Sequence, residues 1–106
     1  MADRITHRAF FGETERPFTL TDPMLAELER LTGQGTGAIY AQIVGMTCPA
    51  RTLTEIIRLG LIGAGMAPEE AMRLCTTYAH NRPLTEILPL AFGIMDARWS
   101  GVEATT

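Results

Sequence analysis

The 106-residue chain has no lysine; all nine of its permanent cations are arginines, strung singly from Arg4 to Arg98. A Walker phosphate loop needs Gly-Lys followed by Ser or Thr, so that chemistry is excluded outright. The formal net charge is −3 and no basic run exists. Nucleic-acid affinity comes from clustered Lys and Arg neutralising phosphates, so the balance argues against a nucleic-acid partner. Cysteine is scarce too. Cys48 and Cys75 stand far apart, fit no secreted disulfide framework, and read as buried thiols in a reducing cytoplasm. With His7 and His80 they match no zinc-ligand spacing. No apolar run approaches the roughly 20 residues that cross a bilayer, and "MADRITHRAFF" has no signal-peptide pattern. The sequence thus points to a cytoplasmic protein with no membrane partner, metal or cofactor.

What is present is ordinary globular material: 46% hydrophobic and 20% charged residues, enough for one core in a single domain over 1–106. The first segment, about 6–21, reads as a β-hairpin. Phe10, Phe11 and Phe18 flank the polar stretch Gly12 to Arg16, with Pro17 at the start or edge of the second strand. A lone hairpin is marginal in water, so it must pack on the rest of the chain.

From Asp22 to about residue 100 the signals are helical. Asp22–Pro23 opens a first helix with its carboxylate free to cap, Met24, Leu25, Leu28 and Leu31 form its stripe, and Gly33 ends it. A second, capped by Thr36, turns Ile39, Tyr40, Ile43 and Val44 inward, and "TCPAR" breaks it. Thr52 and Glu55 form a capping box for a third helix. Its apolar residues lie on more than one side, as in a central helix touched by several neighbours. The fourth runs from Pro68 to about His80 with Ala71, Leu74, Cys75 and Tyr78 inward and a Glu69–Arg73 pair outside; Asn81 stops it. The fifth starts at Pro83 and carries Leu84, Ile87, Leu88, Ala91, Ile94 and Met95 inward, with Pro89 on the outer face; residues 101–106 read as a flexible tail.

The fold expected is mainly α: an N-terminal β-hairpin packed on a bundle of four to five short helices. No catalytic constellation emerges. Gly60, Gly63 and Gly65 follow a helix with the wrong spacing for a dinucleotide fingerprint, so "GLIGAG" reads as the end of one helix and the turn into the next. The third and fourth helices resemble a helix-turn-helix, but the second would present Pro68, Glu69 and Glu70 to DNA phosphates. Large apolar residues at an edge or break are the candidate partner contacts: Phe10, Phe11, Met46, Met66 and Trp99.

The series "FFGETERPFTLT", "LAELERLTGQGTGAIYAQI" and "LTEIIRLGLIGAGMAPEEAMRLCTTYAHNRPLTEILPLAFGIMDARWSG" resembles the small tail-protein family of gene transfer agents and related phages. Its most specific part is Gly63–Gly65 with Pro68, Glu69, Glu70 and Ala71, then Tyr78 and Arg82–Pro83. Ala67 departs from the Ser or Thr that members often carry before "PEE", which weakens the helix cap. The resemblance implies a non-enzymatic tail assembly chaperone that binds the long, helical tape measure protein and helps tail tube subunits assemble around it. Two alternatives stand beside that reading: a tube or connector subunit retained in the particle, and a small helix-turn-helix DNA-binding regulator.

Overall fold

The computed structural model describes residues 2–103. A single 3-10 turn, Ala2–Ile5, leads into strand β1, Thr6–Phe11, which pairs antiparallel with β2, Thr14–Thr19. Five helices follow: α1, Asp22–Thr32; α2, Thr36–Val44; α3, Ala50–Gly63; α4, Pro68–Tyr78; and α5, Leu84–Ser100. The expected hairpin-plus-bundle is the observed architecture.

The hairpin is tighter than expected. Phe11 pairs with Thr14 across a two-residue turn in which Gly12 and Glu13 both have positive φ, 63° and 77°. Such a turn matches the twist of the flanking strands. Pro17 therefore lies inside β2, opposite Arg8, and of the two places expected for it takes the strand's free edge rather than its start. Alternation counted from the turn makes Arg8–Pro17 a non-hydrogen-bonded pair, so the missing proline N–H leaves the ladder intact. Thr6 and Thr19 close the far end through their hydroxyls at 2.7 Å.

Helix α3 is the hub. Leu53, Ile56, Ile57, Leu59 and Leu61 are all buried, against β2 and the other long helices. Gly60 lets the strand approach: a β-carbon there would meet Phe18 Cβ at 3.2 Å and Ile94 Cγ2 at 3.4 Å. The glycine stretch thus ends a helix, as read, and also opens a bed for the hairpin. Helix α3 runs to Gly63, and Gly65 turns at φ 112° while Met66 N–H bonds back to the Leu61 carbonyl.

Several helix starts differ from expectation, each for a tertiary reason. Asp22 does not cap α1; its carboxylate accepts a 2.6 Å bond from Arg98, which also donates to the Leu20 carbonyl. The Thr52–Glu55 capping box does not form, because Pro49 starts α3 earlier and buries Thr52, while Glu55 takes a bidentate bond from Arg58 at 2.7 and 3.0 Å. Thr36 is the first residue of α2 rather than its cap, and the cap comes from α1: Glu29 accepts bonds from both the N–H and the hydroxyl of Thr36. That pairing lowers the Glu29 carboxyl pKa. Arg73 pairs with Glu70 at 3.5 Å rather than with Glu69. Ala67 makes no side-chain cap, as its methyl dictates.

The stops follow the sequence more closely. Gly33 caps α1 in the left-handed conformation at φ 70°, whereas α4 ends earlier than expected, at Tyr78 with Ala79 as its cap, and Asn81, left-handed at φ 59°, turns the chain two residues beyond. Pro89 sits on the exposed side of α5. Of the tail, residues 104–106 lie outside the described residues, while Val102 N–H donates to the Arg4 carbonyl and Arg4 Nε returns a bond to the Val102 carbonyl.

Candidate partner-binding surface

Helices α2 and α5 pack side by side, and their shared outer seam is aromatic. On α5, Phe92 and Trp99 stand seven residues apart, two helical turns, and so share a face. Between them rises Tyr40 from α2. Its ring lies nearly parallel to Trp99, with centroids 5.3 Å apart, and stacks less closely on Phe92 at 6.1 Å. Gly37, one turn before Tyr40, makes room: a β-carbon there would press on Trp99 Cη2 at 3.3 Å. The seam remains open to solvent, with Trp99 55% and Phe92 38% exposed.

A polar pin fixes the stack. The Tyr40 hydroxyl donates to Asp96 at 2.7 Å, and the Ser100 hydroxyl reaches the same carboxylate oxygen at 3.2 Å. The Asp96 hydrogen bond pushes the Tyr40 phenol above its ordinary pKa, so it remains a neutral donor. Aromatic side chains held this way offer large contact area with little rotamer entropy left to lose.

The five sequence candidates do not form one surface. Trp99 belongs to the seam. Met46, just past α2, is 76% exposed and sits at φ 59°, a left-handed backbone position that methionine rarely takes. Phe10 is 73% exposed on the outer face of β1. Phe11, expected at an exposed edge, is only 6% exposed and packs edge-on against Phe18 and Tyr78; it is core. Met66 is half-buried against the core and lines a shallow depression of about 310 Å³ with Pro17, Leu61 and Glu70.

Sequence reasoning missed Tyr40, Phe92 and Val44. Tyr40 and Val44 were both expected inward; Tyr40 is only half-buried and Val44 is 60% exposed. Leu84, also expected inward, is 52% exposed. The signal available was the seven-residue interval between Phe92 and Trp99, apolar positions off the main stripe of α5.

Among the described residues no three of His, Cys, Asp and Glu converge as metal ligands. No helix among them is long and apolar enough to cross a membrane. The first turn of α4 carries Glu69 and Glu70, both exposed, at the end of the helix that would read DNA.

The family model described as phage tail tube protein, GTA-gp10, matches residues 4–101. The chain belongs to this family. No curated protein and no solved structure matches it significantly. In this phage tail family member, the matched span takes in the whole hairpin, all five helices and the aromatic seam.

Proposed function

We propose that the protein is a non-enzymatic tail assembly chaperone. It would act in the cytoplasm of the cell that builds the particle, holding an apolar helical segment of the tape measure protein until tube subunits close around it. The observation that carries this reading is the Phe92–Tyr40–Trp99 seam, pre-stacked and still open to solvent. An amphipathic helix recognises such a face through anchors spaced three, four and seven residues apart. Met46, exposed near the end of α2, adds an adaptable thioether of the kind that suits a client of loose sequence.

A second reading has its own support. The family description names a tail tube protein, and a tube subunit retained in the particle would bury the same seam permanently against its neighbour. Tagged protein from particle-producing cells, analysed by mass spectrometry in the soluble eluate and in purified particles, separates the two. Capture of the tape measure protein with bait absent from particles supports the chaperone. Stoichiometric bait in particles makes the protein structural. Trp99→Ala and Phe92→Ser, at exposed positions, should keep the fold and lose the captured partner; undiminished capture by both would remove the seam from either role.

A further inference from the structure

The outer edge of β1 has a chemistry of its own. Because Phe11–Thr14 closes the turn as a hydrogen-bonded pair, Arg8 and Phe10 occupy non-hydrogen-bonded positions, and their N–H and C=O groups point away from β2. No other described residue bonds to these two donors and two acceptors. Unpaired strand edges of this kind template the addition of another strand. The matching edge of β2 is blunted by Pro17, which has no N–H to offer.

Alongside the β1 edge runs a groove of about 250 Å³. Ala9 and Phe10 form its strand side, and Glu86, Pro89 and Leu90 of α5 form the other. Near one end His7 lies on Gly93, where a β-carbon would come 2.5 Å from His7 Nε2. Small-molecule pockets run to about 300–1,000 Å³. This smaller trough, open along a strand edge, suits a side chain delivered by an extended backbone.

We infer that the groove between β1 and α5 binds an extended segment of a partner protein as an added strand, with an aliphatic side chain in the groove and a carboxylate beside Arg8. The strand form follows from the four open backbone groups on Arg8 and Phe10. The aliphatic residue follows from the walls supplied by Ala9, Pro89 and Leu90. The acid follows from charge: the Arg8 side chain is 58% exposed beside the open edge, and its 3.4 Å contact with the exposed Glu15 engages Nε alone, leaving the terminal guanidinium N–H groups to take a second carboxylate. Side chains alternate faces along a strand, so an aliphatic residue directed at α5 places its neighbour on the outer face where Arg8 stands. A second copy of this chain fits less well, because its own β1 edge is flanked by its own α5. This site is separate from the aromatic seam and stands or falls independently of the chaperone reading.

The test is titration of the full chain with the peptide acetyl-Thr-Glu-Leu-Glu-Thr-amide, which reads the same in either strand direction. Binding should move and protect the Arg8 and Phe10 amide resonances, which have no acceptor in the free protein. Phe10→Pro removes one outward donor while leaving the hairpin ladder intact, and should weaken binding at least about tenfold with unchanged circular dichroism. Arg8→Glu should weaken it about threefold or more and shift preference to the same peptide with Lys in place of Glu. If Phe10→Pro does not fold, the charge swap at Arg8 decides alone. Failure of the peptide to bind, or binding indifferent to the Arg8 swap, would overturn the inference. So would concentration-dependent protection of both amides without peptide, which would give the edge to a second copy.

Discussion

Gly63 lies directly beneath the carbonyl oxygen of Thr19: a β-carbon there would overlap that oxygen and crowd Met24 Cγ at 3.2 Å. The contact joins the last residue of α3 to the last residue of β2, where the chain leaves the hairpin for α1. Both partners to the clash are backbone, so neither can rotate away. Gly63→Ala should therefore behave as overpacking, costing about 2 kcal/mol or more despite alanine's better helix propensity. In a domain of this size the melting temperature would fall by at least about 8 °C, read by thermal unfolding. A melting point equal to that of the parent would show that β2 and α3 are not in this contact.

Much of this arrangement was legible in the sequence, and the failures share a cause. Hairpin, helix order, the stop at Gly33, the left-handed turn at Asn81 beyond α4 and the outward Pro89 all follow from local rules of turn chemistry and periodicity. Asp22, Thr52 and Thr36 are residues that local rules assign to caps, but distant or neighbouring groups claim them: Arg98 takes Asp22, burial takes Thr52, and Glu29 reaches across to Thr36. Phe11 sits at a strand end, yet the two-residue turn folds it under, onto Phe18 and Tyr78. The aromatic seam was read in part. Trp99 stood out because it lies off the stripe, but periodicity cannot tell which of two apolar faces a neighbouring helix covers, and so Tyr40 and Val44 were placed inside.

The two thiols should differ in reactivity. Burial pushes the Cys75 thiol up to about 12, with the nearby Arg58 guanidinium only partly offsetting it. At about pH 8 its thiolate fraction is then on the order of one in ten thousand, and the thiolate is the reactive form. Cys48 is half-buried and its thiol is also raised, again chiefly by burial, but it remains partly reachable. A disulfide-exchange reagent should modify Cys48 first, with Cys75 following at the rate of unfolding and both reacting at once in guanidinium. Equal reactivity of the two in the native protein would contradict the buried placement of Cys75.

Stability should weaken on the acid side through His7. Half-burial against α5 lowers the His7 pKa from its ordinary 6.5, because the charged imidazolium is the form that suffers from desolvation. The folded state thus binds this proton less well than the unfolded chain. Its contribution is fully present above 6.5 and is lost as pH falls through the lowered folded value. Nuclear magnetic resonance of the ring should place its titration below 6.5. His7→Gln should flatten the acid limb of the stability curve by up to one proton's worth of slope; an identical acid limb would mean that other groups carry it.

Met46 offers the sharpest separation of stability from binding. Among the described residues, three other than glycine have positive φ: Glu13, Met46 and Asn81. Asparagine tolerates that region, and Glu13 gains a 2.7 Å bond from the Tyr78 hydroxyl. Met46 has no such compensation, since its N–H bonds to the Ile43 carbonyl whatever its side chain and that side chain is 76% exposed. Neither conformation nor burial therefore accounts for methionine at this position. Met46→Gly should relieve the left-handed strain and stabilise the fold by about 0.5–1 kcal/mol in denaturant titration. If the thioether contacts the tail partner, the same substitution should reduce capture of that partner from particle-producing cells. A variant that is more stable and equally effective in capture would remove Met46 from the partner surface and leave the aromatic seam to act without it.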